Sequence, residues 1–223
     1  MSIQLDTLEQ RIIGVLIEKE LTVPDGYPLT VNALVAGCNQ KSNRDPVMTA
    51  EDFDVEGALR SLMDKGWVTR REGHGSRVMR YAHEARSQLG VQEADLAILS
   101  ELLCRGPQAP GALKTRCGRM HAFASADDVE ARLAELSLRP VPYVVELERQ
   151  PRERHARWEH RLRKAGPESP EAPAPTATPT PTHASSSAPA PSSAPAPAPA
   201  PVPAPTAEDL NLEARIDDLE QQV

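Results

Sequence analysis

The side chains best suited to chemistry in this sequence are arginines concentrated on two short segments of β-forming residues. A guanidinium group is permanently charged, and its planar fork of donors matches a phosphate group. The candidate phosphate-binding residues on these segments are Arg70, Arg71, Arg77, Arg80, Arg149, Arg152 and Arg154. Such contacts would position the protein on a nucleic-acid backbone without reading its sequence. Glu72 and Glu146 are interleaved with the arginines, so a solvated surface of mixed charge is the alternative interpretation.

A polar loop between two predicted helices supplies the remaining candidate nucleic-acid-binding residues. These are Gln40, Lys41, Asn43 and Arg44. Gln and Asn side chains can pair with adenine edges, whereas Lys and Arg bind phosphates. A helix-turn-helix usually joins its helices with three or four residues, and this connection is about ten residues longer. Long polar loops in compact domains are usually functional or disordered.

The helices that would enter a DNA groove have acidic polar faces. The first, predicted over 54–65, carries Asp54, Glu56 and Asp64. The second, predicted over 126–137, carries Asp127, Asp128, Glu130 and Glu135. Carboxylates are repelled by a phosphate backbone, which disfavours ordinary readout by these helices. Two hypotheses therefore stay open. One is a DNA-associated, regulatory protein that binds double-stranded DNA through its basic hairpins and the 38–48 loop. The other is a protein–protein interaction module that uses the acidic helix faces and a C-terminal coil predicted over 208–223.

Catalytic and metal-binding patterns do not occur in the sequence. There is no GxSxG, HExxH, P-loop or GxGxxG motif, so we expect a protein that is not an enzyme and needs no cofactor. The histidines and cysteines lack zinc-ligand spacing, which predicts no metal site. Cys38, Cys104 and Cys117 lie among apolar helical residues, and we expect buried, reduced thiols.

Residues 54–83 indicate the helix and the strands that would position these side chains. The spacing of the apolar residues changes halfway through this segment. Apolar residues first recur every three or four positions, as on one face of a helix. Lys65 and Gly66 predict the end of this helix, because glycine readily adopts a left-handed cap. From Trp67 onward the residues favour two strands, with a hairpin turn at 73–76. A helix followed directly by a basic hairpin is typical of the third helix and wing of a winged helix-turn-helix.

The same order of elements, three helices and a hairpin, occurs again roughly 80 residues later. We therefore predict an α+β, mostly α-helical protein with two tandem winged helix-turn-helix domains, at 1–88 and 89–165. Trp67 and Trp158 fall on strands of the two predicted hairpins. They are expected to be buried anchors between strand and helix rather than base-stacking platforms.

The C-terminal quarter has a different composition. Of the 22 prolines, 14 lie in residues 166–207, which predicts a disordered Ala/Pro-rich linker. Residues 208–223 predict a short coiled-coil helix with its apolar seam at Leu212, Ile216, Leu219 and Val223. So short a helix is marginal alone in water. Weak self-association into a homodimer, docking on a partner and a frayed tail remain equal alternatives.

Charge and hydropathy indicate where the protein resides. Residues 166–223 account for the whole formal net charge of −7, so the preceding region is electrically balanced and would bind polyanions only through local patches. The N-terminus lacks the apolar core of a signal peptide, and no apolar run approaches the roughly 18 residues that span a membrane. We expect a cytoplasmic protein without membrane contact.

Several segments resemble one bacterial family. They are LTVNAL (29–34), CNQKSNRDPVM (38–48), LMDKGWV (62–68), GPQAPGALKTR (106–116) and LEARI (212–216). The chain is similar in these segments, over residues 5–165 and the terminal helix, to the YceH family, also called UPF0502 or DUF480. The 38–48 segment is the most specific. The resemblance implies a tandem winged-helix fold in a cytoplasmic bacterial protein, and it implies no particular reaction.

Overall fold

The computed structural model describes residues 4–72, 78–151 and 153–163. Several predictions lie outside the described residues. These are the hairpin turn at 73–76, the candidates Arg77 and Arg152, the linker 166–207, and the terminal helix with Leu212, Ile216, Leu219 and Val223.

The first half of the described chain contains three longer helices, a short one and a hairpin. Its elements are α1 (Thr7–Thr22), a 3-10 turn (Pro24–Gly26), α2 (Val31–Cys38), α3 (Asp52–Asp64), β1 (Val68–Glu72), β2 (Met79–His83) and α4 (Ala85–Leu89). Asp6 begins α1 with a capping box, in which its carboxylate accepts from the Glu9 N–H and the Glu9 carboxylate accepts from the Asp6 N–H. The Thr30 hydroxyl caps α2 in the same way, accepting from the Ala33 N–H.

The second half repeats the three helices and the hairpin, without counterparts of the 3-10 turn and α4. It contains α5 (Glu93–Arg105), α6 (Pro110–Cys117), α7 (Ala126–Ser137), β3 (Val144–Glu146) and β4 (Trp158–His160). Proline at the first position of α6 suits a helix start, where its missing N–H would have no intrahelical partner. The Ser125 hydroxyl caps α7 by accepting from the Asp128 N–H.

Each half contains one small antiparallel sheet. β1 pairs with β2 from Val68 opposite His83 to Glu72 opposite Met79, and β3 pairs with β4 in the same manner. An isolated bridge then joins the residue two positions before each second helix to the last strand of its half. Leu29 bridges Tyr81 in the first half, and Gln108 bridges Trp158 in the second. Both sheets are thereby tied to the start of a helix.

α1 and α5 form the centre of the molecule, and each is buried over most of its length. They cross where the Ser100 hydroxyl donates to the Gly14 carbonyl at 2.9 Å. A Cβ on Gly14 would lie 2.7 Å from the Cys104 Sγ, so the helices can cross this closely only with a residue that has no side chain. The described residues belong to one compact unit, and the core residues of both halves form one hydrophobic cluster.

The predicted class, mixed α and β and mostly helical with small antiparallel sheets, is confirmed. The predicted helix end at Lys65 and Gly66 is also correct, and Gly66 has a φ of +73°. Trp67 and Trp158 are buried, as expected. α3 begins at Asp52, two residues before the predicted start, and the sequence pattern did not indicate α4.

Candidate functional site

The first hairpin carries two of the predicted arginines on its exposed surface. Arg70 and Arg71 lie on β1 opposite Tyr81 and Arg80. Arg71 reaches Glu84 only at 4.0 Å and keeps 62% of its side chain exposed. Arg70 has no ion pair with any residue that the structure describes. Two guanidinium groups are therefore presented to solvent with little compensation by carboxylates.

Arg80 has a different role from its neighbours on the hairpin. It is half-buried, and its Nη1 donates to the Pro28 carbonyl at 2.8 Å. This bond ties β2 to the chain segment in front of α2. Arg80 therefore braces the hairpin and is less available to a ligand than Arg70.

The structure places Arg44, a predicted phosphate-binding residue, in the interior. It is 5% exposed, and its Nη1 lies 2.7 Å from a Glu18 carboxylate oxygen. Its Nε donates to the Gly37 carbonyl at 2.9 Å. Burial acts to raise the pKa of Glu18, but hydrogen bonds from Lys19 and Arg44 outweigh it and hold that pKa below its usual value. Because its donors point inward, Arg44 anchors the loop and offers no phosphate contact in this structure.

The rest of the loop between α2 and α3 is pinned by two residues that the sequence patterns did not single out. Arg11, buried on α1, donates to the Cys38 carbonyl at 3.0 Å and to the Pro46 carbonyl at 2.8 Å. The Asn39 side chain makes two 2.8 Å hydrogen bonds to the backbone of Ala50, one as donor and one as acceptor. An arginine surrounded by apolar residues in α1 was the available signal for the first contact. A binding partner would meet an ordered loop.

Of the polar candidates in this loop, Lys41 and Asn43 are exposed and Gln40 is half-buried. The Asn43 Oδ1 accepts from Arg105 Nη1 at 2.8 Å, so one edge of its amide is already engaged. Asn43 also has a φ of +58°, a left-handed conformation that asparagine tolerates better than most residues. This residue links the loop to the end of α5.

The second hairpin borders a cleft of about 460 Å³ with several arginines in its wall. Arg154 lines it, whereas Arg149 is exposed outside it. Three further arginines that were not among the candidates also line the cleft, namely Arg105, Arg116 and Arg157. They come from α5, α6 and the segment before β4, so only the fold brings them together.

The third helix of each half exposes the acidic face that the sequence indicated. On α3, Asp52 and Glu56 are exposed, together with Phe53, whose exposure is 67%. On α7, Glu130 and Glu135 are exposed. The acidic faces and the basic hairpins are therefore both accessible to a partner.

The thiols are unsuited to nucleophilic chemistry. Cys38, Cys104 and Cys117 are buried and unbonded to one another, as predicted. Burial raises the pKa of Cys38 to about 11 and those of Cys104 and Cys117 to about 12, so all three are protonated at neutral pH. Within the described ranges no group of three or more His, Cys, Asp or Glu residues could hold a metal ion.

A helix that spans a membrane must be both long and apolar. Across the described parts of the chain, no helix has the length and apolar character needed to cross a bilayer.

Comparison with known proteins identifies the family of this chain. Residues 5–153 match the family described as "Protein of unknown function, DUF480". The chain belongs to the UPF0502 (DUF480) family. It is 48% identical over 158 residues to a UPF0502 protein of Shewanella amazonensis, covering 69% of this chain and 75% of the relative. It is 49% identical over 162 residues to a UPF0502 protein of Geobacter metallireducens, covering 73% and 74% respectively. The resemblance predicted from the sequence segments is thus confirmed.

Proposed function

We propose that the two halves of this UPF0502 protein are tandem winged helix-turn-helix modules that bind double-stranded DNA through their basic hairpins. The repeated order of three helices and a hairpin supports the fold assignment. The bridge from the residue two positions before α2 or α6 to the last strand supports it further, because a winged helix closes its small sheet with such a third strand. In this proposal the protein acts by binding, without catalysis.

The exposure of Arg70 and Arg71 on β1 carries the proposal. Each guanidinium can approach a phosphate without first leaving a close carboxylate partner. The acidic face of α3 disfavours insertion of that helix into the major groove. The interaction is therefore dominated by phosphates and has little dependence on base sequence.

Charge reversal of the hairpin tests this interface. We expect the double substitution Arg70→Glu and Arg71→Glu to weaken binding of the full-length protein to all duplex sequences. It should also reduce the slope of log affinity against log salt by about 1 for each phosphate that the protein no longer neutralises. Fluorescence anisotropy with labelled duplexes of different sequence measures both quantities.

Arg60→Glu is the matched control for each single reversal, Arg70→Glu or Arg71→Glu, because Arg60 is an exposed arginine on α3 with 68% of its side chain accessible. The hairpin proposal predicts a much smaller effect for this variant. An equal loss of affinity in the Arg60 variant, or undiminished binding by the hairpin variant, would eliminate the hairpin as the contact surface.

A second candidate function is favoured by apolar residues beside the acidic start of α3. Phe53 is 67% exposed and Val47 is 55% exposed. Exposed aromatic residues are enriched in protein–protein interfaces, and here they would dock on a basic, apolar partner surface. Sedimentation of the full chain and of Phe53→Asp tests whether that partner is a second copy. A concentration-dependent dimer that Phe53→Asp dissociates would support this candidate, and a monomer at all concentrations would exclude self-assembly through Phe53.

A further inference from the structure

We propose that the cleft beside the second hairpin binds a phosphate group. It lies between the end of α5, the start of α6 and residues 153–157, and its volume of about 460 Å³ is in the range of small-molecule sites. The arginines in its wall are Arg105, Arg116, Arg154 and Arg157. The site does not depend on Arg70 and Arg71 of the first hairpin, whose exposure carries the DNA proposal above.

Two of these arginines are held by neutral partners. Arg116 Nη1 donates to the Gln108 side-chain oxygen, and Arg105 Nη1 donates to the Asn43 Oδ1 at 2.8 Å. A neutral amide orients a guanidinium without cancelling its charge, whereas a carboxylate would neutralise it. Both cations therefore keep their attraction for an anion and have fewer conformations to lose when it binds.

Gln108, the partner of Arg116, is itself fixed. It is 5% exposed, and its Nε2 donates to the Glu101 carbonyl at 3.1 Å. Its backbone N–H donates to the Trp158 carbonyl at 3.1 Å, and its carbonyl accepts from the Trp158 N–H at 2.8 Å. Gln108 thus holds the Arg116 side chain in a fixed position relative to the sheet and to α5, which is the support that a preorganised binding site requires.

The charges in the cleft favour an anion over a cation. Arg157 is paired with Glu153, so that pair is nearly neutral. Arg154 is exposed and has no ion-pair partner among the described residues. Asp45 is the other carboxylate in the wall, and the buried Glu101 also interacts electrostatically with Arg105 and Arg116. Arg105, Arg116 and Arg154 thus outnumber these two acids. The first turn of α6 also borders the cleft, and the positive end of a helix dipole adds to the attraction.

A phosphate group fits this donor set because its oxygens accept from several guanidinium groups at once. Two sources carry that group: a free phosphate monoester and a backbone phosphate of DNA. The shared chemistry is the phosphate, and separate probes distinguish the sources.

Binding is measured with the full-length protein by isothermal titration calorimetry at constant ionic strength, using inorganic phosphate, phenyl phosphate and a short duplex as separate probes. We expect Arg105→Gln and Arg116→Gln each to weaken binding about tenfold, the effect of losing one charge-assisted hydrogen bond. Arg161→Gln is the control, since this arginine is exposed in the same half but outside the cleft, and its affinity should be unchanged. Asp45→Asn should tighten binding, because it removes the unpaired acid from the wall.

The outcomes are distinct. Phosphate or phenyl phosphate binding that depends on Arg105 and Arg116 identifies a free phosphate ester as the ligand class. Duplex binding that depends on these arginines, without binding of the small probes, assigns the cleft to a DNA phosphate. Probes that bind equally to wild type, Arg116→Gln and Asp45→Asn, or to none of them, would overturn the proposal. The variant with reversed Arg70 and Arg71 should bind phosphate normally, so failure of the first-hairpin proposal is distinguishable from failure of this one.

Discussion

Replacement of Gly14 by alanine tests the crossing of α1 and α5 that joins the two halves. The added Cβ would lie 2.7 Å from the Cys104 Sγ, 3.1 Å from the Leu103 Cβ and 3.3 Å from the Ser100 carbonyl oxygen. The first distance is well inside van der Waals contact, and the other two are also tight, so the new methyl group has little room to move away from the thiol. The helices must separate slightly or the side chains must leave their preferred rotamers.

The expected change in the free energy of unfolding on Gly14→Ala follows from two opposing effects. Overpacking of a filled core costs about 1–3 kcal/mol, whereas alanine in place of glycine inside a helix gains about 0.5–1 kcal/mol. Gly14→Ala should therefore lower the free energy of unfolding by about 1 kcal/mol, the middle of the range that these two effects span. For a folded region of this size that corresponds to about 2–4 °C of melting temperature per kcal/mol.

Gly57→Ala is the matched control, because Gly57 also lies inside a helix but, apart from its chain neighbours and the backbone of that helix, has no atom within 4 Å of the position of an added Cβ. Helix propensity alone then acts, and we expect stabilisation of about 0.5–1 kcal/mol. Thermal and urea denaturation of the full-length variants, followed by circular dichroism, measure both changes.

A double substitution identifies the contact responsible. Cys104→Ala removes the closest atom, so Gly14→Ala should cost less in that background, with a coupling energy of about 1 kcal/mol. If Gly14→Ala stabilises the protein as Gly57→Ala does, the close crossing of α1 and α5 is incorrect.

The remaining predictions concern buried ionisable side chains. Burial, and after it the neighbouring Arg163, lowers the pKa of His160 from 6.5 to about 4. The unfolded chain therefore binds the proton first as the pH falls. Unfolding experiments should show that the wild type loses about 3 kcal/mol of stability between pH 6.5 and pH 4 and that His160→Gln does not show this loss. Burial raises the pKa of Glu101, so the stability that its protonated form contributes below pH 4.5 is lost as the pH rises. Glu101→Gln should therefore melt at a higher temperature than the wild type at pH 7 and at the same temperature at pH 4. Equal melting temperatures of the two proteins at both pH values would contradict the raised pKa. Arg44→Met leaves Glu18 without its buried partner and should lower the free energy of unfolding in urea by about 3 kcal/mol. The control Lys41→Met, at an exposed position of the same loop, should change it by almost nothing. Equal stability of the two variants would show that Arg44 does not anchor the loop.

Local signals in the sequence predicted much of the fold. The caps at Asp6, Thr30 and Ser125 and the glycine end at Gly66 are short-range features, and each uses a residue type that favours its position. Alternation and β-forming residues located both hairpins, although β3 and β4 are only three residues long. These features depend on neighbours within a few positions, which periodicity and propensity can report.

The interior placement of Arg44 was not predictable in the same way. A basic side chain in a polar loop normally faces solvent. Glu18, the ion-pair partner of Arg44, lies in α1, and the 3-10 turn and α2 separate the two residues in the chain. Arg11 contacts residues 27 and 35 positions distant, so no local pattern reveals its role. The cleft beside the second hairpin is likewise assembled from α5, α6 and the β3–β4 connection, so its arginines only become a group after folding.

The salt dependence of DNA binding tests the central functional proposal most directly. Full-length protein is titrated against a labelled duplex of random sequence by fluorescence anisotropy, from low to physiological salt. We predict binding at low salt and a linear fall of log affinity with log salt, with a slope equivalent to several phosphate contacts. Absence of binding at low salt would contradict the proposal that the hairpin arginines bind DNA.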